Sequence, residues 1–463
     1  MIPLSISAIA EITGASLDGV ADPAAVVSGP VVIDSRQAVP GAMFAALPGE
    51  HADGHDFAAA AAAAGAVVML GTRSVGVPAL IVADVQAALG RLARGVVDRL
   101  PGLVIAGITG SAGKTTTKDL AAQLISSLGP TVWPENSFNN EIGHPLTVLR
   151  TGQDTRYLVT ELSARGPGHI AALCRIAPPR FGVVLCVGNA HAGEFGGVAQ
   201  VAAAKAELPR ALPASGAALL NADDPLVAAM AADTPARVVT FGRSADAHVR
   251  ATRVSLDELS RPRFTLEMPG GSAAVILRLH GEHNITNALA AAALAGHLGM
   301  DVAAIGAGLS AARALSKWRM EVTERPDGVV VVNDAYNASP EAMTAALAAL
   351  RVIAAGRRAY AVLGRMAELG ERSREFHEQV GTVAARTGLA GLIAVGEEAA
   401  PMLTGAKASA GFRGELIAVP DGTAALAALA ERLRPGDVVL VKASRAAGLQ
   451  AVALALAAGE VAA

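Results

Sequence analysis

The feature that most constrains this fold is a glycine-containing loop between an apolar run and a run suited to a helix. Residues 103–108 are apolar and of strand length, and helix-compatible residues begin at Lys114. In such a context the backbone N–H groups of the loop and of the first helical turn face a bound anion. The sequence therefore predicts a phosphate-binding loop at the end of a buried parallel strand.

The loop residues suggest separate tasks in binding a nucleotide. Lys114 would reach the β- and γ-phosphates, and the Thr115 hydroxyl would bind Mg²⁺. A strict loop of this type has glycine five residues before Gly113, where this chain has Ile108, so Gly110 supplies the earlier glycine. Kinases, motor ATPases and ligases share such loops, so the reaction stays open. The predicted nucleotide-binding residues of the loop are Gly110, Ser111, Ala112, Gly113, Lys114, Thr115 and Thr116.

Composition and charge exclude several classes of protein. The net charge is -3 and no lysine- or arginine-rich run occurs, so we expect no nucleic-acid partner. Cys174 and Cys186 cannot form a disulfide framework and lack the spacing of a zinc site, which favours a reducing compartment. The longest apolar runs are shorter than the roughly 18–20 residues of a membrane span, and the start lacks the basic region of a secretory signal. The sequence predicts a cytoplasmic monomer without membrane contact.

The 463 residues are too many for one core, and their texture divides the chain into three α/β domains. Residues 1–100 look like a small α/β module. In residues 101–314 apolar strand candidates alternate with helical patterns, which indicates a mostly parallel sheet covered on both faces, with an antiparallel patch at 248–281. Residues 315–463 form a second alternating block, for which we predict a Rossmann-like α/β domain.

Two side chains near the predicted strand ends are candidates for the same site. Glu161 closes the predicted strand 157–160, and His191 follows the strand 181–187. Ligands of open parallel sheets bind beyond the carboxyl ends of the strands, so both could meet Lys114 and hold magnesium against phosphates. Taken alone, His191 is more often a loop residue, and Lys205 in its alanine-rich run is by default an exposed helix lysine.

Taken together, the motifs resemble the Mur ligases over all three blocks. The loop at 109–116 matches the variant loop of that family, which accounts for Ile108. The segment 333–340, Asn-Asp-Ala-Tyr-Asn-Ala-Ser-Pro, is the most telling match. The other matching segments are 34–36, 40–44, 53–57, 136–147, 283–287, 364–370 and 442–445.

The resemblance implies a role for each matching position. It implies catalytic roles for Lys114, His191 and a carbamylated Lys205, and magnesium ligands at Thr115, Glu161, His191 and Lys205. The implied nucleotide contacts outside the loop are Asn287 at the adenine, Asp334 at the ribose after domain closure, and the linker residue Arg319. The implied substrate-binding residues are Ser35, Arg36, Asn139, Asn140, Tyr336 and Asn337.

The resemblance also implies an activity. The expected enzyme uses ATP and Mg²⁺ to join D-alanyl-D-alanine to a UDP-muramoyl-tripeptide. Alternatives within the class are the ligase that adds the third residue and a folylpolyglutamate synthetase; the sequence contains no Asp-Asn-Pro-Arg for recognising a diamino acid. A nucleotide-binding regulator is the alternative of another class. The chain departs from the family pattern at Asn333, Arg365, His169 and the pair Cys186-Val187.

Overall fold

The computed structural model describes residues 1–49, 52–135, 137–188 and 195–460. It has three α/β domains in chain order, as the sequence predicts. The predicted limit at residues 100/101 lies between the helix Val85–Val97 and the strand Val104–Thr109, and that at 314/315 lies between the helix Val302–Ala311 and the strand Glu321–Glu324. Among the described residues, no helix combines the length and apolarity needed to cross a bilayer.

The N-terminal domain is built on a mixed sheet in the order β2-β7-β6-β5-β4, with β1 paired to β3 beside it. Its helix α3 also packs against the central domain, because Leu89 and Leu92 share a core with Ile105 and Leu158. That shared core joins the first two domains. The elements are β1 Leu4–Ser5, α1 Ile6–Thr13, β2 Ser16–Asp18, β3 Val26–Val27, β4 Val31–Val32, β5 Met43–Ala45, α2 Ala58–Ala63, β6 Val68–Gly71, β7 Ala79–Ile81 and α3 Val85–Val97.

The central domain has the sheet order β16-β15-β14-β13-β12-β11-β8-β10-β9. It is parallel from β14 to β9 and antiparallel from β14 to β16, which confirms the predicted patch. The strands are β8 Val104–Thr109, β9 Thr131–Val132, β10 Tyr157–Glu161, β11 Phe181–Val184, β12 Ala217–Asn221, β13 Arg237–Gly242, β14 Val249–Leu256, β15 Pro262–Met268 and β16 Gly271–Ile276. The helices are α4 Lys114–Ile125, α5 Gly143–Val148, α6 His169–Ile176, α7 Val198–Lys205, α8 Glu207–Arg210, α9 Pro225–Ala228, α10 Asn284–His297 and α11 Val302–Ala311.

The C-terminal domain has the sheet order β17-β18-β22-β19-β20-β21. Only its edge pair, β17 with β18, is antiparallel among the described pairings, so the Rossmann-like core carries one added strand. The elements are β17 Glu321–Glu324, β18 Val330–Asn333, α12 Pro340–Ala354, β19 Ala359–Gly364, α13 Ser373–Ala385, β20 Gly391–Val395, α14 Pro401–Ala408, β21 Glu415–Val419, α15 Gly422–Ala430, β22 Val438–Lys442 and α16 Gln450–Ala458.

The alanine-rich segments are explained by close helix packing. Helix α10 lies against α4, and its run of alanines from Ala290 to Ala293 is buried in the central core. Small side chains let two helices and the sheet approach closely at native packing density. The phosphate-loop helix α4 is therefore packed against both the sheet and α10.

Candidate functional site

The loop between β8 and α4 has the backbone geometry that its glycines permit. Gly110 has φ 156° and Gly113 has φ 81°. A larger residue at position 113 is disfavoured for two reasons. Its backbone would be strained at this positive φ, and its Cβ atom would lie 2.3 Å from the Asn287 Oδ1 atom. The Lys114 ammonium donates to the Gly110 carbonyl at 2.8 Å across the loop.

A polar network surrounds the first turn of α4. The Thr115 hydroxyl donates to Glu161 Oε2 at 2.9 Å, and the Asn139 amide donates to Glu161 Oε1 at 2.7 Å. Arg319 from the linker donates to the Thr115 hydroxyl at 2.8 Å and to Ser137 Oγ at 3.0 Å. The structure thus brings together residues that are separated by up to 204 positions in the chain.

Charge is concentrated in this network. Glu161 is 1% exposed, and the hydrogen bonds described for its carboxylate come from uncharged donors. Burial lowers the pKa of Lys114, while the Glu161 carboxylate opposes that shift. A buried carboxylate beside a phosphate loop favours a cation in the same space.

Lys205 is buried rather than exposed, so the default interpretation of an exposed helix lysine is wrong. It ends α7 and is 6% exposed. Burial, with the nearby Lys114 charge, lowers the pKa of Lys205 to about 7. At neutral pH the amine of Lys205 is therefore uncharged in a larger fraction of molecules than that of an exposed lysine. His191, predicted to act beside it, lies outside the described residues.

The C-terminal domain supplies the facing wall. Asp334 follows β18, and its Oδ2 accepts from the Lys442 ammonium at 2.6 Å while its Oδ1 accepts from the Met320 N–H at 3.1 Å. Arg319 lies over the Tyr336 ring, 4.1 Å from its centroid. Asn337 completes this wall, its carbonyl accepting from Lys442 at 2.8 Å.

A cavity of about 520 Å³ lies between the phosphate loop of the central domain and this wall of the C-terminal domain. Its size suits a small-molecule site. Its lining includes the predicted residues Ser111, Ala112, Gly113, Lys114, Thr115, Thr116, Asn139, Asn140, Glu161, Asn287, Arg319, Asp334, Tyr336 and Asn337. Gly110 and Lys205 are not among the residues that line it. Ser35 and Arg36 do not reach it: the Arg36 side chain is 88% exposed and pairs with Asp34 in the N-terminal domain.

The departures from the family pattern have local partners. The Asn333 amide oxygen accepts from the Ala335 N–H at 3.3 Å, and Arg365 pairs with Glu398 at 2.7 Å. The Cys186 sulfur accepts from the Ala112 N–H at 3.3 Å, so this thiol is hydrogen-bonded to the backbone of the phosphate loop. His169 lies 3.3 Å from Glu141 at the cavity rim.

Sequence reasoning missed the cap of α6. Glu207 accepts from the Gly168 N–H at 2.5 Å and from the Ala171 N–H at 2.9 Å, which places a carboxylate on the N-terminal end of that helix. The sequence offered no local signal, because the cap lies 39 and 36 residues away.

Replacing Glu207 with alanine should destabilise α6 by about 1–2 kcal/mol, since two helix N–H groups lose a charged acceptor. The measurement is the free energy of local opening from hydrogen exchange of the α6 amides. Glu11→Ala, at an exposed position of α1, is the matched control. Equal protection of α6 in the two variants would contradict the assignment.

Fold and cavity together define a nucleotide-binding enzyme with a phosphate loop and a third domain that faces it. Comparison with known proteins then identifies the group. Residues 30–96, 108–295 and 318–445 match the family models "Mur ligase family, catalytic domain", "Mur ligase middle domain" and "Mur ligase, glutamate ligase domain". The chain belongs to the Mur ligase family and is an ATP-dependent ligase.

Two curated relatives that match over nearly the full length are each called UDP-N-acetylmuramoyl-tripeptide--D-alanyl-D-alanine ligase. The protein of Mycobacterium tuberculosis (strain ATCC 25618 / H37Rv) is 50% identical over 99% of both chains. That of Escherichia coli (strain K12) is 35% identical over 98% of this chain and 99% of its own. MurF from Acinetobacter baumannii has a TM-score of 0.87 at 30% identity, covering 98% of this chain and 99% of its own.

A second solved relative carries a nucleotide. The MurF ligase from Thermotoga maritima, in complex with ADP, has a TM-score of 0.79 at 30% identity, covering 94% of this chain and 98% of its own. The folylpolyglutamate synthase of Mycobacterium tuberculosis, with 16% identity and a TM-score of 0.62, shares the fold alone.

Proposed function

We propose that this chain joins D-alanyl-D-alanine to UDP-N-acetylmuramoyl-tripeptide at the expense of ATP. The products are a UDP-muramoyl-pentapeptide, ADP and phosphate, in the cytoplasmic synthesis of peptidoglycan precursors. The observation that carries this proposal is 50% identity, over 99% of both chains, to a relative named for that reaction. The cavity supports it, since residues of the phosphate loop and of the facing C-terminal domain line it.

The chemistry follows from the poor leaving ability of a carboxylate oxygen. The terminal carboxylate of the tripeptide attacks the γ-phosphorus of ATP, the bond to the ADP oxygen breaks, and an acyl phosphate forms. The amine of the dipeptide then attacks the acyl carbon. The bond between that carbon and the phosphate oxygen breaks, phosphate leaves with the electron pair, and the nitrogen loses a proton. Lys114 offsets the charge of the phosphoryl oxygens, and the walls of the cavity exclude competing water.

The residues present fit Mg²⁺. Thr115 and Glu161 provide oxygen donors, which hard divalent cations prefer, and they lie 2.9 Å apart beside the loop. When bound, the metal would neutralise charge on the nucleotide phosphates. We propose Thr115 and Glu161 as ligands from the described residues, together with His191.

We further propose that Lys205 carries a carbamate that serves as a ligand anion. Carbamylation requires an uncharged amine, and the pKa of Lys205, lowered to about 7 by burial and Lys114, provides one near neutral pH. As pH falls through 7 the ammonium fraction rises, so the carbamate fraction at a fixed CO₂ concentration falls. Since Lys205 is buried near Lys114, its carbamate would be shielded from bulk solvent.

The three domains divide the substrates. We propose that residues 1–100 bind the UDP-sugar through Ser35 and Arg36, that 101–314 bind ATP, and that 315–463 close on the nucleotide. Because Arg36 lies outside the cavity, the extended peptide would run from the N-terminal domain to the phosphate loop past Asn139 and Asn140. Asn287 and Asp334 then face the nucleoside, and Tyr336 and Asn337 the peptide.

An assay separates this proposal from its alternatives. Protein, ATP, Mg²⁺ and UDP-muramoyl-tripeptide are incubated with D-alanyl-D-alanine, and the release of phosphate and formation of the pentapeptide are measured. We expect amide formation coupled one-to-one to phosphate release. In the first control, meso-diaminopimelate replaces D-alanyl-D-alanine and the UDP-muramoyl-dipeptide replaces the tripeptide. In the second control, folate and glutamate replace both substrates. Product in a control but not in the main reaction would assign the activity to another ligase, and no product in any would favour a regulator.

A further inference from the structure

The first residues of the linker between the central and C-terminal domains are hydrogen-bonded to the phosphate-loop helix α4. The Gln123 side chain donates to the Arg313 carbonyl at 3.0 Å and accepts from the Arg313 N–H at 3.1 Å. Asp119 accepts from the Ser316 N–H at 3.1 Å. Helix α4 therefore fixes one end of the linker.

The next turn of the linker has a strained backbone. Trp318 has φ 61° and Met320 has φ 52°, and these two residues flank Arg319. A left-handed conformation costs a non-glycine residue on the order of 1 kcal/mol and persists only where its surroundings hold it. The turn aims the Arg319 guanidinium at Thr115.

Contacts with the C-terminal domain hold this turn. The Trp318 carbonyl accepts from the Tyr336 N–H at 3.2 Å, and the Met320 N–H donates to Asp334 Oδ1 at 3.1 Å. The Tyr336 ring also lies under the Arg319 guanidinium. Asp334 is thus the one described side chain that bonds the backbone just after Arg319.

Lys442 holds Asp334 in turn. Its ammonium donates to Asp334 Oδ2 at 2.6 Å, to the Asn337 carbonyl at 2.8 Å and to the Asp334 carbonyl at 3.4 Å. An ammonium has three protons, so these three acceptors use its donors. The Lys442 side chain is 3% exposed. Although Lys442 lines the cavity, its hydrogen bonds are committed to this loop.

We propose that Lys442 is a positioning residue that acts through Asp334 and Met320 to keep Arg319 directed at the phosphate site. The inference rests on the proposed function, because Arg319 matters only if phosphoryl transfer occurs beside Thr115. Removal of the Lys442 charge frees Asp334, relaxes the Met320 turn and withdraws Arg319 from Thr115. Lys442 then influences the reaction without touching the nucleotide.

The test is a double-mutant cycle between Lys442→Met and Arg319→Ala, measured as kcat at saturating substrates. Lys442→Met should lower kcat by about 10- to 100-fold, the size of coupling within one hydrogen-bond network. It should change the KM for D-alanyl-D-alanine by a smaller factor than kcat. The double variant should be no slower than Arg319→Ala alone. Lys407→Met, at an exposed lysine of α14, should match the wild type.

A fluorescence measurement supplies a readout apart from activity. The chain has two tryptophans, and in a Trp133→Phe background Trp318 reports on the linker, where Arg445 lies 5.1 Å from its ring. Emission from Trp318 should shift in Lys442→Met and not in Lys407→Met. A merely stabilising role for Lys442 would leave emission of the folded protein unchanged.

A charge-neutral pair covers the case in which Lys442→Met unfolds because Asp334 is left buried without its cation. In the double variant Lys442→Met with Asp334→Asn, the side-chain amide oxygen at position 334 can still accept from the Met320 N–H. The kcat of this charge-neutral variant should therefore exceed that of Lys442→Met. If Lys442→Met does not fold, the comparison is with Arg319→Ala, whose kcat the charge-neutral variant should also exceed. Multiplicative effects in the cycle, or unchanged Trp318 emission, would overturn the inference. A wild-type protein without dipeptide-dependent phosphate release would instead overturn the proposed function.

Discussion

We expect Lys114→Ala to lower the rate of ATP-dependent amide formation by about 10³- to 10⁵-fold, which corresponds to roughly 4–7 kcal/mol of lost transition-state stabilisation. The reason is electrostatic. Lys114 begins α4 beside the loop, where its ammonium can follow the phosphoryl oxygens as charge moves from ADP to the acyl phosphate. Alanine offers no donor there, and water is a poor substitute in a cavity with a buried Glu161.

The fold should survive this change. The hydrogen bond described for the Lys114 ammonium goes to the Gly110 carbonyl within the same loop, so its loss is local. The measurements are single-turnover pentapeptide formation, circular dichroism and thermal denaturation, with Lys407→Ala as control. Lys114→Ala activity within tenfold of the control would refute the assignment of this loop to catalysis.

The parts of the fold that the sequence predicts are those with local causes. Strands β8 and β10 match the predicted ranges 103–108 and 157–160 to within one residue at each end, because buried parallel strands are continuous apolar runs. The sequence does not predict β9, which is too short for a pattern, or β17, an edge strand with a glutamate at each end, of which Glu324 is exposed.

The parts of the site that could not be predicted depend on contacts between distant residues. The loop fixes Lys114 and Thr115 locally, but the approach of Arg319 to Thr115 spans 204 positions and depends on the linker turn. Left-handed backbone at Trp318 and Met320 has no propensity behind it; tertiary contacts impose it. Ser137 joins the network for the same reason.

The burial of Lys205 is the clearest case of a site feature that the sequence does not predict. An alanine-rich helix gives almost no amphipathic direction, so the sequence does not indicate which face of α7 is buried. Packing decides that, and it buries Lys205 near Lys114. A buried lysine near a second lysine is unfavourable as an ammonium, whereas a carbamate would turn the repulsion into attraction.

Lys205→Ala should therefore lower activity by about 10²- to 10³-fold, because a carbamate ligand lost from a metal site removes several kcal/mol of charge stabilisation. Alanine leaves space for a small anion, so formate or acetate should restore part of the rate. Lys205→Met fills that space and should be inactive without rescue, and Lys114→Ala should show no rescue either. The measurement is pentapeptide formation against carboxylate concentration, with thermal denaturation to confirm folding. Full activity of Lys205→Ala, or equal rescue of Lys205→Met, would rule out the carbamate role, since neither result is possible if an anion at this position holds the metal.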